Sequence, residues 1–453
     1  MASIDHRLRL SHTVIRRLWV GFFSCVTAAA AAAGADEHAG GGFLEVRGTR
    51  LFLEDKPFAE ISFNKFDLFW QLLAAEHERP GFGPQPAARA EKALRELHEF
   101  GFKTIRVFCA TGAMDRDYFD PAAQPRFHAA MDRMLDLCDR HELRVVFCLA
   151  TTNNLRAPDE SSWQAVADPK SCSRVRIETF VDDMVTRYRN RTTVAIWEIA
   201  NELLLEADIG GRSQLWGEEK VPNLQEVVAY HRAIAERIRR LDRRHPISTG
   251  DSYRNNLWHL SEHAKGRTEN PWQTDSLEQL GEAVSRPQRA ADVFSIHAYY
   301  FGRPHGVHAI RRLDGGLEAF ELVAWTRIAH QLEMPLYVGE YGVLPRSRTE
   351  AHAEQFRNNP EWPVSLTEDP EATERVYREA LDRLVGARPN LAHVWAYQSD
   401  RDQDRGDEQR ADLDLERTPN LVRAVVEANR QLQQATIGFT YAPESHPPAI
   451  TPQ

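Results

Sequence analysis

The sequence contains little cysteine, which limits the covalent and metal cross-links that could hold the chain together. Only five cysteines occur among 453 residues, and one of them lies within the first 35. The other four allow three disulfide pairings if the chain is exported, but their spacing matches no zinc-binding pattern. Cys138 falls at an apolar position of a predicted helix, which favours a buried free thiol. Since 42% of the residues are hydrophobic, we expect a globular protein.

An excess of basic residues is also missing. The net charge is −10, and arginines are intermixed with acidic residues, whereas a nucleic-acid surface needs clustered basic side chains. No Gly-rich phosphate loop follows an early strand, and no His-x-His pair lies on one, so the patterns typical of nucleotide sites and of metal-dependent barrel hydrolases are missing. We therefore expect no cofactor, no metal ion and no nucleic-acid partner. A neutral, hydroxylated or small substrate suits this composition.

The first 35 residues predict a signal peptide. Four arginines between positions 7 and 17 precede or adjoin the apolar run LWVGFFSCVTAAAAAA, and Ala33-Gly34-Ala35 has the small-x-small pattern of a cleavage site. The run is short for a membrane span, although a retained anchor is the alternative. We predict a signal peptide over 1–35, no stable membrane insertion after its removal, and a secreted or periplasmic protein.

Short apolar runs recur along the rest of the chain, with amphipathic helical stretches between most of them. Eight such runs lie at 58–64, 102–109, 144–150, 193–200, 246–250, 291–297, 335–340 and 391–397. Eight strands alternating with helices predict a (β/α)8 TIM barrel, an α/β fold, and we favour it over an open doubly wound sheet. Residues 43–58 alternate around a Gly48-Thr49 turn and predict a small N-terminal β-hairpin. We predict one barrel domain over 36–435 and a Pro-rich tail over 436–453.

The run from Thr193 to Glu202 indicates where the chemistry lies. It is almost wholly apolar and ends in Asn201 and Glu202, as a buried inner strand of a parallel sheet does. Barrel enzymes keep their active sites at the carboxyl ends of the strands, so Glu202 is a candidate for chemistry. Other predicted strands end in a similar way, with Asn64, Arg106, Asn153, His297, Tyr299, Glu340 and Trp395.

Several of these strand ends resemble the family 5 glycoside hydrolases, which belong to a clan of retaining (β/α)8-barrel glycosidases. The matching elements, in chain order, are IRVF (105–108), the Asn201-Glu202 pair, SIHAYY (295–300), YVGEYG (337–342) and VWAY (394–397). The resemblance covers about residues 43–435. It implies that Glu202 is the acid/base and Glu340 the nucleophile.

The physical argument for these two carboxylates agrees with the resemblance. Retaining hydrolysis needs two carboxyl groups about 5 Å apart, one protonated and one ionised. Glu202 and Glu340 can meet because both are predicted to end parallel strands of one barrel. Either one alone could instead be a helix-capping neighbour or a structural ion-pair partner. A buried Arg106 would need an anionic partner, which a nucleophile could provide.

The resemblance also implies roles for the residues around the two carboxylates. It places Arg106 and Tyr299 beside the nucleophile, Asn201 at the sugar 2-hydroxyl and His297 on the acid/base side. Trp395 would offer a flat face to a sugar ring. His297 and Trp395 could equally be core residues, and Arg106 could form a structural salt bridge. Asn64, Asn153 and these residues form the predicted substrate-binding set.

Two departures from the family pattern bear on the substrate. Leu203 stands where many members have Pro, which puts the leaving-group subsites in doubt more than the chemistry. Asn153-Asn154 resembles the β-mannanase branch, but Leu155 replaces the Trp expected next. We expect a secreted, endo-acting retaining β-glycosidase on β-1,4-linked mannan, glucomannan or β-glucan, and a monomer. The alternatives are a non-catalytic carbohydrate-binding barrel, a metal-dependent barrel hydrolase, or a retaining enzyme for another β-glycan or oligosaccharide.

Overall fold

A computed structural model describes most of the chain. The described residues are 42–75, 85–109, 114–150, 155–206, 220–300, 309–311, 317–319, 322–343, 366–367, 369–399 and 412–437. The predicted signal peptide, Asn153 and nearly all of the predicted tail lie outside these ranges.

Three short strands form an antiparallel sheet at the start of the described chain. They are β1 (Leu44–Arg47), β2 (Arg50–Leu53) and β3 (Lys56–Phe58). The predicted hairpin around Gly48 is present, and a second turn at Glu54 and Asp55, both with positive φ, adds a third strand. Leu44 and Leu51 pack in one buried cluster with residues of four barrel strands and with Val293, which directly precedes β9 (Phe294–Tyr300), so this sheet covers the amino-terminal end of the barrel.

Eight parallel strands form the main sheet and confirm the predicted barrel. They are β4 (Glu60–Asn64), β5 (Thr104–Phe108), β6 (Arg144–Cys148), β7 (Val194–Glu198), β8 (Ile247–Ser248), β9 (Phe294–Tyr300), β12 (Leu336–Val343) and β13 (Leu391–Val394). Each lies within or overlaps one of the eight predicted runs. Their order in the sheet is β8-β7-β6-β5-β4-β13-β12-β9, so strands that are consecutive among the eight are neighbours, except β8 and β9, which stand at the two ends of this order. Two further short strands, β10 (Ala309–Arg311) and β11 (Leu317–Ala319), pair with each other.

The barrel closes where β8 meets β9. The backbone N–H groups of Asp292 and Val293 donate to the carbonyl of Ile247 at 2.8 and 3.2 Å. Three residues after Ile247, the backbone N–H of Gly250 donates to the Ser295 hydroxyl at 3.0 Å. These contacts replace a regular ladder at the seam, and they hold the chain after β8 against β9.

Helices surround the barrel. In the described residues they are α1 (Leu68–Ala75), α2 (Pro86–Glu99), α3 (Met114–Phe119), α4 (Gln124–Arg140), α5 (Ser162–Ala167), α6 (Cys172–Tyr188), α7 (Leu224–Leu241), α8 (Leu257–Ala264), α9 (Leu277–Gln288), α10 (Leu322–Gln331), α11 (Pro370–Ala387) and α12 (Pro419–Ile437). Three of them begin at a capping box, in which the side chain of Ser161, Asn223 or Ser276 accepts from the backbone N–H three residues later, while its own N–H donates to the side chain of that residue. No helix among them is long and apolar enough to cross a membrane.

The four cysteines in the described chain are free thiols. Cys109, Cys138 and Cys148 are buried and Cys172 is exposed. The prediction of a buried free thiol at Cys138 is confirmed. Cys138 belongs to the one large hydrophobic cluster that the barrel and its surrounding helices share.

Candidate active site

Arg106 lies at the centre of the polar residues inside the barrel. Its side chain is fully buried on β5, and its guanidinium contacts four side chains from three other parts of the barrel. Nη1 donates to Glu340 at 2.9 Å and to Asn64 at 3.1 Å, while Nη2 donates to Asn201 at 2.7 Å. Burial alone would lower the pKa of Arg106, but the carboxylates of Glu198 and Glu340 raise it well above its ordinary value. The guanidinium is therefore a permanent positive charge.

Glu340 receives a hydrogen bond on each of its oxygens. Arg106 donates to Oε1 at 2.9 Å, and the Tyr299 hydroxyl donates to Oε2 at 2.7 Å. The pairing of β9 with β12 explains the second contact. It places His297 opposite Glu340, and Tyr299 follows two residues later on the same face of β9. Burial, followed by the charge of Glu340, raises the pKa of Tyr299 well above its ordinary value, so the phenol keeps its proton and donates.

Glu202 is held differently, on a turn beyond the end of its strand. We predicted that Glu202 ends a strand over 193–200, but β7 ends at Glu198. Glu202 has φ of 55°, a left-handed conformation that is uncommon for residues other than glycine, and its N–H donates to the Gly250 carbonyl at 2.8 Å. A 3₁₀ turn, Leu203–Glu206, follows, and Asp251 accepts a hydrogen bond from the Leu204 N–H at 3.1 Å.

Gly250 makes this turn possible. Its φ is 72°, and a Cβ added there would lie 1.9 Å from the Ala200 carbonyl oxygen and 2.6 Å from Cγ of Glu198. Only glycine fits such a close approach. The turn after β8 therefore fixes the backbone from which Glu202 projects. Sequence analysis identified neither Gly250 nor Asp251; an Ile-Ser-Thr-Gly-Asp run after a short strand is a weak signal without the fold.

His297 lies between the two glutamates. Its Nδ1 is 3.0 Å from Oε1 of Glu202 and 3.6 Å from Oε1 of Glu340. Burial lowers the pKa of His297 to about 4, although Glu340 opposes this shift. The imidazole is therefore neutral near pH 7. Because Nδ1 faces carboxyl oxygens, we assign the ring proton to Nδ1, which then donates to Glu202.

Asn64 and Asn201 orient the arginine. Asn64 is fully buried, and its amide donates to the backbone carbonyls of Gly339 and His393 while its oxygen accepts from Arg106. Asn201 is only partly buried, and its oxygen accepts from Arg106. With its oxygen held there, the Asn201 amide hydrogens are available to a ligand. We grouped Asn64 and Arg106 with substrate-binding residues, but their full burial means that they act on the site through protein partners.

A third carboxylate, Glu198, escaped the sequence analysis. It is fully buried at the end of β7, and its Oε1 accepts from Arg106 Nε at 2.9 Å and lies 2.7 Å from Nη2. The signal was present, since Glu198 is the one charged residue between Thr193 and Ala200. A charged residue inside an otherwise apolar strand predicts a buried partner, and Arg106 provides it.

Trp395 contributes one aromatic face to the core. Its ring stacks on Phe66 with centroids 4.5 Å apart and an interplanar angle of 8°, and the residue is partly buried. The contact with Phe66 agrees with a core role for one face, and the contact of Trp395 with a sugar ring stays a prediction. Asn153 lies outside the described residues.

The donor atoms of Glu202, His297 and Glu340 lie within 4.8 Å of one another, which would allow them to hold a metal ion by distance alone. The hydrogen bonds argue for a different use of these groups. Both oxygens of Glu340 already accept from Arg106 and Tyr299, and a guanidinium next to the site disfavours a second cation. The arrangement suits an attacking carboxylate better than a metal ligand.

The same spacing fits chemistry with two carboxyl groups. An oxygen of Glu202 and an oxygen of Glu340 are at most 4.8 Å apart. Retaining glycosidases use carboxyl groups about 5 Å apart, and inverting ones need about 6.5 Å or more to admit a water. One carboxylate is held by charge and hydrogen bonds, and the other, 28% exposed, contacts a neutral imidazole. This asymmetry is what an acid and a nucleophile require.

Comparisons with known proteins agree with this geometry. A family model described as Cellulase (glycosyl hydrolase family 5) matches residues 63–365. Mannan endo-1,4-beta-mannosidase 5 of Arabidopsis thaliana is 23% identical over 289 residues, which cover 57% of this chain and 59% of that protein. The alignment thus spans less than two thirds of that relative's length.

Solved structures share the fold. A glycoside hydrolase family 5 mannosidase from Rhizomucor miehei superposes with a TM-score of 0.56 at 15% identity, covering 88% of this chain and 99% of that one. An endo-β-1,4-mannanase from Thermotoga petrophila gives 0.53 at 14% identity, with 84% and 78% covered. Because the family model spans more than half of the sequence and the fold and strand-end residues agree with it, the chain belongs to glycosyl hydrolase family 5.

Proposed function

We propose that this protein is a retaining endo-β-glycosidase that hydrolyses β-1,4-linked mannan or glucomannan. The observation that carries the proposal is the separation of at most 4.8 Å between carboxyl oxygens of Glu202 and Glu340 at one end of the barrel. That distance leaves no room for a water between the nucleophile and the anomeric carbon, so the carboxylate itself attacks.

In the first step, Glu202 gives its proton to the glycosidic oxygen while an oxygen of Glu340 bonds to the anomeric carbon. The bond to the leaving sugar breaks as the ester with Glu340 forms. His297 donates to Oε1 of Glu202 and thereby leaves Oε2 to carry the proton to the leaving group. Asn201, with its oxygen held by Arg106, presents its amide hydrogens to the sugar 2-hydroxyl.

In the second step, Glu202 removes a proton from water, and the resulting hydroxide attacks the anomeric carbon. The bond to Glu340 breaks, and its oxygens return to Arg106 and Tyr299, whose hydrogen bonds make the carboxylate a better leaving group. Glu202 regains the proton that it lost in the first step. Two inversions restore the original anomeric configuration.

Mannan is the preferred substrate on two grounds. The relatives above carry the names mannosidase and mannanase. The Asn153-Asn154 pair resembles the β-mannanase branch. Competitive digestion of β-mannan and a cellulose derivative at equal mass tests the preference; faster release of manno-oligosaccharides supports it, and a clear preference for the cellulose derivative refutes it.

Stereochemistry tests the mechanism independently of the sugar. Proton NMR of the first products, recorded before mutarotation, should show the β anomer from a β-linked substrate. An initial α anomer would refute the nucleophilic role of Glu340. Absence of any hydrolysis across mannan, glucomannan, β-glucan and xylan would favour the alternative of a carbohydrate-binding barrel, and loss of activity on chelation would favour the metal-dependent one.

We further propose that the protein is exported, with a signal peptide over 1–35, and acts as a monomer. The support is the arginine-rich and then apolar start of the sequence. Amino-terminal sequencing of the exported protein should begin near Asp36, and light scattering should give the mass of one chain; a retained leader or a dimer would contradict these two proposals.

A further inference from the structure

Glu198 contacts the catalytic machinery without reaching the cleft. It is fully buried, and one of its oxygens, Oε1, receives both Nε and Nη2 of Arg106. The other oxygen has no hydrogen-bond partner among the described residues. The opposite edge of the same guanidinium, Nη1, holds Glu340. A single positive charge thus lies between two buried carboxyl groups.

Titratable side chains from the neighbouring strands surround Glu198 and Glu340. The titratable groups that face Glu198 or Glu340 are Arg106, Cys109, Cys148, Glu202, Asp251, His297, Tyr299 and Tyr337. Burial raises the pKa of the two thiols, the two phenols and Asp251 well above their ordinary values and lowers that of His297 to about 4. For each of these six groups, burial favours the uncharged form. Arg106 is the positive charge of this group, and Glu198, Glu202 and Glu340 are the other carboxyl groups near it.

The contacts also fix the orientation of the guanidinium. Glu198 holds the Nε and Nη2 edge, Asn201 holds Nη2, and Asn64 holds Nη1. Asn64 and Asn201 are neutral, so Glu198 is the only charged anchor that the described part of the chain provides on the edge away from Glu340. Moving a catalytic contact by about 1 Å can cost about 100-fold in rate, so this anchoring matters for the reaction.

We propose that Glu198 is a positioning residue that aims Arg106 at Glu340 and, by taking a share of its positive charge, keeps Glu340 reactive as a nucleophile. This inference rests on the proposed glycosidase function. Without the negative charge of Glu198, the whole field of the guanidinium would fall on Glu340. The carboxylate of Glu340 would then be stabilised more strongly and would attack the sugar more weakly, because stabilising an anion reduces its nucleophilicity.

The key variant is Glu198→Gln, which keeps the volume and an oxygen for Arg106 but removes the charge. We expect the acidic limb of the kcat/KM profile to move down by about one pH unit, as removal of a nearby like charge predicts. The rate of the first step should fall by about 10- to 100-fold. Glu198→Asp keeps the charge but draws it away from Arg106, and its acidic limb should move down by a smaller, measurable amount.

Glu60 provides the matched control. It is the other fully buried glutamate of a barrel strand, and it bonds the Lys103 N–H at 2.7 Å and the Thr104 hydroxyl at 2.5 Å, with no contact to Arg106. Glu60→Gln and Glu60→Asp test the general effect of altering a buried barrel glutamate. Neither should move the acidic limb of the kcat/KM profile.

The experiment measures kcat/KM against pH for the full-length variants on a dinitrophenyl β-manno-oligosaccharide, with circular dichroism to check folding. A shifted limb in Glu198→Gln with unshifted limbs in both Glu60 variants supports the proposal. An unmoved limb in folded Glu198→Gln, or an equal shift in the Glu60 variants, overturns it. If Glu198→Gln does not fold, an unmoved limb in Glu198→Asp overturns it instead. An inactive wild type would refute the proposed function, which is a separate outcome.

Discussion

Glu202 and Glu340 carry the same side chain in opposite surroundings. Glu340 lies within β12, its side chain is 6% exposed, and both of its oxygens accept hydrogen bonds from protein groups. Glu202 lies on a left-handed turn past the end of β7, its side chain is 28% exposed, and it accepts a hydrogen bond from the neutral imidazole of His297.

The difference shows how one residue type can serve two roles. A carboxylate next to a guanidinium is favoured in its charged form, which suits attack on carbon. A carboxyl group close to a second negative charge is favoured in its protonated form, which suits proton donation. The surroundings of the two glutamates, and not their residue type, distinguish the two proposed roles. Changing the surroundings of one glutamate should therefore impair the role proposed for that glutamate.

Removing the nucleophile should have the largest effect. Glu340→Gln keeps the volume but removes the attacking oxygen anion, so kcat should fall by about 10⁴-fold or more on every substrate. Stopped-flow measurement of aryl release checks this over several leaving groups. A residual activity that varies strongly with the leaving group would contradict the role assigned to Glu340.

Removing the acid/base should have a smaller effect that depends on the leaving group. Glu202→Gln cannot donate a proton, so hydrolysis of mannan should fall by about 10²- to 10⁴-fold. With dinitrophenolate, which needs little protonation, the first step should stay close to the wild-type rate. Equal losses for both kinds of substrate would erase the distinction between the two glutamates.

Removing one of the hydrogen bonds to Glu340 should reduce the rate less than replacing Glu202 does. Tyr299→Phe removes one hydrogen bond of 2.7 Å to a charged acceptor, worth about 1.5 to 3 kcal/mol, or about 10- to 100-fold in kcat/KM. The matched control is Tyr300→Phe. The Tyr300 hydroxyl donates to the exposed carboxylate of Glu379, so its removal should leave the rate unchanged. A rate loss in the Tyr300 variant as large as that in the Tyr299 variant would show that the effect is structural.

The smallest effect concerns the neutral partner of Glu202. Because burial lowers the pKa of His297 to about 4, this imidazole should stay neutral from pH 8 down to about 5. The folded protein prefers the neutral form, so the stability contributed by His297 is fully present above pH 6.5 and is lost as the pH falls toward 4. Nitrogen-detected NMR of the ring should report protonation near pH 4. Protonation near 6.5 would mean that His297 is solvated and does not act as a neutral donor.

The fold was predictable because its signals are local and repeated. Each barrel strand is a short apolar run, since both of its faces are buried, and eight such runs alternating with amphipathic helices leave few other architectures. The third strand of the amino-terminal sheet was missed because Glu54 and Asp55 do not resemble a tight hairpin turn. Yet both adopt positive φ.

The candidate site was predictable only in part. Glu340, Tyr299 and Arg106 follow apolar residues, so their placement on barrel strands could be inferred from the sequence, although they lie within β12, β9 and β5 and not at the predicted strand ends. Glu198 was overlooked because it lies inside such a run, and its significance depends on Arg106, 92 residues earlier in the chain. The inference that Asn64 contacts substrate came from its place at a strand end, which does not reveal that its amide is occupied by two carbonyls.

The sequence by itself determined the barrel, the order of its strands and the two glutamates most suited to acid/base and nucleophilic roles. Periodicity and strand-end polarity are properties of neighbouring residues, and the chain carries them wherever it folds. The tertiary structure alone decided that the carboxyl groups of Glu202 and Glu340 stand within 4.8 Å and that Arg106 is shared between Glu340 and Glu198. These features depend on the register of strands far apart in the chain and on the left-handed turn that Gly250 permits, and no local pattern encodes either.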